Sequence, residues 1–137
     1  MGNTKPIGVA YSDQDINGAQ YLLSSEYLGY TTDAQGSVTQ GTSKSTAVTL
    51  NKSAGTVTMN AATLNATTSV SFTLNNSYLS ANDAIILSIV GGTATAGSYT
   101  LWVTGLTTGA ATITLRNITG GNLSEAVVFN YVIVHAA

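Results

Sequence analysis

The sequence predicts an all-β fold, a two-sheet β-sandwich of jelly-roll type preceded by an N-terminal arm. Short runs rich in threonine and valine, separated by glycine, serine and asparagine, fill the chain from residue 37 onward. Residues 112–118 and 126–134 give the strongest strand signals, because apolar side chains recur at every second position. No convincing helical period follows the arm, and eight strands of this length suit a jelly roll better than a meander.

We assign residues 1–36 to the arm and residues 37–137 to the sandwich domain. The arm holds four of the six acidic residues and four of the seven tyrosines, namely Tyr11, Tyr21, Tyr27 and Tyr30. Tyrosine gives a large contact area at a low cost in side-chain entropy, so these residues are candidates for docking onto a partner. The spacing of Leu23, Tyr27 and Tyr30 fits a short helix packed on the chain's own sandwich equally well.

Eight segments are candidate strands, and in several of them one face is clearly apolar. They are residues 38–40, 46–50, 56–60, 69–74, 84–90, 98–104, 112–118 and 126–134. The run at 84–90 is apolar on nearly both faces, so we expect it beside 126–134 in the middle of the sandwich.

Residues 126–134 are also apolar on nearly both faces. One face is expected to complete the core, and the other is a candidate for burial against sister subunits. In a jelly roll the last two strands lie in opposite sheets, so we expect residues 119–125 to bridge the sandwich.

The composition limits the classes of function. A chain of 137 residues is long enough for one domain with a real core. Only 7% of its residues are charged and the net charge is -2, so little repulsion keeps copies apart, which suits a subunit of a large assembly. Four scattered basic residues argue against nucleic acid as a partner.

The sequence also argues against export and membrane insertion. The first residues lack the apolar run of a secretory signal peptide, and no apolar run approaches the ~20 residues that span a bilayer. We therefore expect synthesis in a cytosol and no membrane partner. The absence of cysteine removes disulfides and thiolate chemistry.

The sequence contains few side chains of the kinds that enzymes use for catalysis. His135 is the only histidine, and a Ser-His-Asp triad would need an aspartate such as Asp83 and a serine, without nucleophile-elbow spacing to support it. A glycosidase needs two opposed carboxylates, and Asp83 and Glu125 are the only acids in the sandwich domain. We predict that the chain is not an enzyme and holds no cofactor.

One short motif resembles a metal site. Asp13, Asp15 and Gly18 fit the start of a calcium-binding loop, but Ser24 stands where the closing glutamate belongs. A solvated or partner-facing loop is the better interpretation, so we predict no metal site.

Three residues of the sandwich are candidates for assembly contacts. Arg116 is the single arginine, and we expect it to pair with Glu125 or Asp83, within a subunit or across a threefold interface, or else to remain solvated. Trp102 lies on the face opposite Leu101 and Val103. It is a candidate for packing beneath the arm, for a subunit contact or for binding a sugar.

Several stretches between residues 36 and 135 form a pattern found together in a known type of module. They are Val38-Thr39-Gln40, Thr42-Ser43-Lys44-Ser45-Thr46, Val48-Thr49-Leu50-Asn51-Lys52, Gly55, Val57-Thr58-Met59, Phe72-Thr73-Leu74-Asn75-Asn76-Ser77, Asp83, Ile113-Thr114-Leu115-Arg116-Asn117-Ile118-Thr119 and Ser124-Glu125. In these stretches the chain resembles a module of tailed-bacteriophage virion proteins, in the head-fibre and capsid-decoration (cement) family.

The resemblance implies a homotrimeric structural protein on the outside of a phage capsid, with the major capsid protein as its partner. The expected location is the virion, on the outer surface of the head, after synthesis in the host cytoplasm. The alternative is a receptor-binding tip of a head or tail fibre that recognises a host surface glycan through Trp102, tyrosines and loop amides. The family offers no catalytic motif to carry over.

Overall fold

The computed structural model describes residues 25–136, which form a β-sandwich of two four-stranded sheets. A 3-10 turn at Thr32–Ala34 leads into the first strand. The strands are β1 Gln35–Thr39, β2 Val48–Thr49, β3 Ala54–Thr58, β4 Ser69–Asn75, β5 Ala84–Gly92, β6 Tyr99–Thr107, β7 Ala110–Asn117 and β8 Val127–Val134. The predicted all-β sandwich is confirmed, and each predicted strand overlaps an observed one.

The two sheets differ in strand order. Sheet A has the order β1-β3-β8-β5, and sheet B has the order β2-β4-β7-β6. The last two strands therefore lie in opposite sheets, as predicted, and the chain between them crosses the sandwich. β5 pairs with β8 as expected, but the expectation that β5 lies in the middle of the sandwich is wrong, because β5 is an edge strand of sheet A.

Two pairings are parallel, β1 with β3 and β2 with β4. The chain changes sheet at each of its first five connections, and in these two pairs the neighbours are two strands apart along the chain and run in the same direction. A jelly roll is built from antiparallel Greek keys, and these two edge pairs are where the topology departs from that pattern.

Side-chain alternation along the central strands builds the core. Val127, Phe129, Tyr131 and Ile133 of β8 are buried, as are Ile113 and Leu115 of β7. The ring of Phe129 packs against that of Phe72 in β4, with 6.2 Å between the ring centroids. Each central strand thus gives one face to the core and leaves the other on the outside of the molecule.

Buried amide side chains fix the connections between strands. Asn76 donates to the Lys52 main-chain oxygen at 2.7 Å and accepts from the Tyr78 N–H. Asn117 donates to the Gly121 main-chain oxygen at 2.8 Å. These amides satisfy main-chain groups that the sheets leave unpaired, which holds the loops at both ends of the sandwich.

The end of the arm is held by side-chain contacts. Residues 25–31 contain no helix, so the short-helix alternative through Tyr27 and Tyr30 is wrong for this part of the chain. The Tyr30 hydroxyl donates to the main-chain oxygen of Ile133, and Gln35 Nε2 donates to the Tyr30 main-chain oxygen at 3.0 Å. β1 begins at Gln35, within the segment that the sequence assigned to the arm.

Candidate functional site

The outer face of sheet A carries an apolar patch beside the end of the arm. Ile86 of β5 lies opposite Val132 of β8, and Val134 follows on the same face. Their side chains are 59%, 37% and 50% exposed, respectively. Ala54 of β3 is the partner of Val132 on its other side, so the patch crosses three neighbouring strands.

A groove of about 870 Å³ lies between this patch and the end of the arm. Leu28 and Tyr30 of the arm line it, together with parts of β1, β3, β5 and β8. Leu28 is 83% exposed. We call this feature the sheet A groove, and we define its apolar rim as Leu28, Ile86, Val132 and Val134.

The described lining of the sheet A groove contains no aspartate, glutamate, lysine or arginine. Its polar side chains include Gln35, Thr56, Asn130 and His135. Val132 and Val134 belong to the face that the sequence assigned to subunit contacts. Ile86 and Leu28 were missed, because the period of a single strand does not reveal which strands form the sheet edge.

The outer face of sheet B is lined by hydroxyl groups and one aromatic ring. Trp102 is 39% exposed there, on the face opposite Leu101 and Val103 as predicted. Its cross-strand neighbour Thr114 forms hydroxyl hydrogen bonds with Ser71 at 2.7 Å and with Thr104 at 2.8 Å. The described part of the arm lines sheet A instead, so no described arm residue covers this indole.

Arg116 and Glu125 are not brought together. Arg116 is exposed on the outer face of sheet B, opposite Ser69 and Thr100. Among the described residues it forms no ion pair with Glu125 or Asp83. The within-subunit form of the expected pair is therefore wrong, because both carboxylates have other partners. Pairing across a subunit interface stays a prediction.

Glu125 belongs to a cluster at one end of the sandwich. Its carboxylate accepts from the Thr95 hydroxyl at 2.5 Å and from the Thr95 N–H at 3.2 Å, and these bonds lower its pKa. The Tyr99 hydroxyl is buried beside this carboxylate without hydrogen-bond geometry to any described group. Burial, reinforced by the carboxylate, raises the pKa of Tyr99.

Lys44 also contacts this cluster, through the main chain of Glu125. The sequence analysis did not identify it as a site residue. Its side chain is buried, and Nζ donates to the main-chain oxygens of Asn60 and Glu125, each at 2.5 Å. Burial lowers the pKa of Lys44, and the nearby Glu125 charge opposes that shift. The ammonium group ties the loop after β1 to the end of the crossing before β8.

Asp83 and His135 form an ion pair of the kind found in a Ser-His-Asp triad. Among the described residues, no serine joins the pair as a nucleophile. Asp83 Oδ2 lies 3.0 Å from His135 Nδ1 and accepts from the Ser80 N–H at 2.8 Å. The Ser80 hydroxyl donates to Asp83 Oδ1, on the carboxylate side of the pair. The Ser80 N–H bond above all, with help from Ala136 and His135, lowers the pKa of Asp83 to about 2. This arrangement orders a turn and the chain end.

Some predicted site residues cannot be placed. Tyr11, Tyr21 and the calcium-loop motif from Asp13 to Gly18 lie outside the described residues. Tyr27 is 89% exposed and Tyr30 is anchored at the end of β8. Within residues 25–136 there is no group of three or more histidine, aspartate or glutamate side chains able to hold a metal ion.

Comparison of the chain with protein-family models, with curated proteins and with solved structures gave no match. In the described part of the chain, no helix has the length and apolar character needed to cross a membrane. Inferences about function therefore rest on the surfaces described above.

Proposed function

We propose that this chain is a structural virion protein that decorates the outside of a bacteriophage head as a homotrimer and stabilises the shell. The observation that carries the proposal is the exposed apolar patch of Ile86, Val132 and Val134 on the outer face of sheet A, in a chain with so few charges. A face of this kind is costly to leave in water and is typical of a surface that is covered in an assembly. The resemblance to cement proteins supplies the identity of that assembly.

The proposed mechanism is mass action. A subunit that binds only the assembled shell stabilises that shell by an amount that grows with the logarithm of subunit concentration over Kd. Three linked contacts in a trimer add avidity, so no single contact needs to be strong. The arm tyrosines Tyr11, Tyr21, Tyr27 and Tyr30 are the proposed docking residues for the major capsid protein. Arg116 and Glu125 are proposed to contact neighbouring subunits.

Cosedimentation with capsids that lack this protein tests the proposal. The purified chain should pellet with expanded capsids, saturate at a fixed number of copies per shell and raise the temperature at which the shell releases its contents. Chain that stays in the supernatant at every concentration would contradict a decorating role. An unrelated β-sandwich protein of similar charge serves as the control for trapping.

Trp102 favours a second candidate, the glycan-binding tip of a phage fibre. An exposed indole between the exposed Thr100 and Thr104 offers a stacking surface next to hydroxyl groups, a combination that suits sugar rings. In this case the protein should bind host polysaccharide on a glycan array, and Trp102→Ala should abolish that signal while Ile118→Ala preserves it. Capsid binding without any glycan signal would reject this candidate.

A further inference from the structure

We propose that the sheet A groove is a self-association surface, covered by a second copy of this chain. The inference deepens the proposed function, because it rests on the same assembly role and names the surface and its occupant. Single exposed apolar residues are ordinary on protein surfaces. Here Ile86 and Val132 are cross-strand partners and Val134 is their neighbour, so the exposed side chains form one continuous patch.

The scarcity of charged side chains in the groove indicates what kind of partner would cover it. No aspartate, glutamate, lysine or arginine occurs in its described lining, and its one histidine, His135, already faces the Asp83 carboxylate, so a strongly charged partner would meet no free counter-charge there. A second copy of this chain satisfies this condition, because with so few charged residues it can cover the groove without burying an unpaired ion. The whole chain has only ten charged residues, four basic and six acidic, so long-range repulsion between copies is weak.

The edge of sheet A adds a second contact. β5 is an edge strand, and a register shift between Ile89 and Gly91 leaves its regular part at the end that carries Ile86. Bulges and short edges limit strand addition, so pairing by a neighbour is directed to the end beside the groove.

Sedimentation velocity of the full-length chain over a concentration series tests this assignment. The variants are Ile86→Glu and Val134→Glu in the rim, with Ile118→Glu as the control. Ile118 is 48% exposed, close to the 50% of Val134, but it follows β7 and does not line the groove. Circular dichroism and urea unfolding confirm that each variant is folded.

Wild type and Ile118→Glu should self-associate, and each rim variant should weaken association by about tenfold or more, because a charge then has to be buried. A wild-type chain that is monomeric throughout overturns the inference, as do rim variants that associate like the control. Rim variants that keep wild-type association but lose capsid binding would assign the groove to the capsid protein, which also overturns it.

Different results would reject the proposed decorating role and the proposed self-association surface. Groove-dependent association without any capsid binding rejects the decorating role and leaves this inference standing. Capsid binding by a chain whose association ignores the rim variants rejects this inference alone.

Discussion

At the scale of single residues, the Asp83 carboxylate organises the end of the chain. It accepts hydrogen bonds from Ser80 and the Ala136 N–H and faces His135. A carboxylate that accepts several N–H and O–H bonds is stabilised in its charged form. These bonds therefore link the stability of the fold to pH.

The first prediction concerns acid unfolding. The pKa of Asp83 is about 2 in the folded chain and 3.8 ordinarily, so its contribution is fully present above about pH 4 and is lost as the pH falls toward 2. Asp83→Asn should lower the urea midpoint at pH 7 and flatten its fall between pH 4 and 2. Trp102 fluorescence reports the unfolding. Asp33→Asn, at an exposed turn, is the control, and identical pH profiles for wild type and Asp83→Asn would contradict the assignment.

The second prediction concerns the buried Lys44 ammonium. Lys44→Met removes the donor from two main-chain oxygens, so it should cost about 1–3 kcal/mol of unfolding free energy. Lys52→Met is the matched control. Its Nζ donates to the Asp33 main-chain oxygen at an exposed site, and its loss should cost under about 1 kcal/mol. Equal unfolding midpoints for the two variants, measured in urea, would refute the structural role of Lys44.

These contacts of single residues could not be predicted from the sequence, because each joins positions that are far apart along the chain. Asn76 donates to the hydroxyl of Tyr131, 55 positions away, and that hydroxyl also donates to main-chain oxygens of the loop before β3. Burial then raises the pKa of Tyr131 to about 12. Nothing in the local pattern around Asn76, Lys44 or Tyr131 indicates which distant carbonyl each will meet. Their partners depend on the folded loops.

At the scale of secondary-structure elements, the junction of β5 and β8 depends on glycine. Gly92 has a φ of 79°, and a Cβ built on it would lie 2.0 Å from the Ala126 main-chain oxygen. Gly91, its neighbour, has open space at the same position. The close approach of the two strands at this end therefore requires one glycine and tolerates a side chain at the other.

The third prediction uses this pair. Gly92→Ala should destabilise the fold by about 2–4 kcal/mol, from the left-handed backbone together with the clash with a main-chain oxygen. Gly91→Ala should change stability by less than about 1 kcal/mol. Thermal unfolding of both variants provides the comparison. A Gly92→Ala protein as stable as Gly91→Ala would show that the β5 end is not held as described.

Strand positions could be predicted from the sequence and strand pairing only in part. Period-2 alternation is a local property, and it located all eight strands because one face of each packs on a core. The β5–β8 pair was also predicted, because the runs that form these two strands are each apolar on nearly both faces. The parallel pairs β1–β3 and β2–β4 depend on how loops carry the chain between sheets, which local alternation does not encode. For the same reason, the prediction that β5 lies in the middle of the sandwich was wrong.

At the scale of the whole molecule, the surface is divided by chemistry. The outer face of sheet B is hydroxyl-rich around Trp102, whereas the outer face of sheet A is apolar around Ile86 and Val132. A monomer would expose both faces. We propose that sheet A is turned toward neighbouring copies and sheet B away from them, because apolar surface is what the core of an interface buries. The sequence anticipated an apolar outer face on the last strand, and the fold extends that face to β5 and the arm.

The molecular mass of the purified full-length chain in solution tests this account most directly. Three chains of 14.0 kDa give a particle of about 42 kDa, and sedimentation equilibrium at micromolar concentration should report that mass. The trimer should persist when salt is raised, because the described lining of the groove contains no aspartate, glutamate, lysine or arginine whose contacts across the interface salt would screen. A single species of 14.0 kDa at every concentration would contradict the claim that this sandwich is built to be covered by copies of itself.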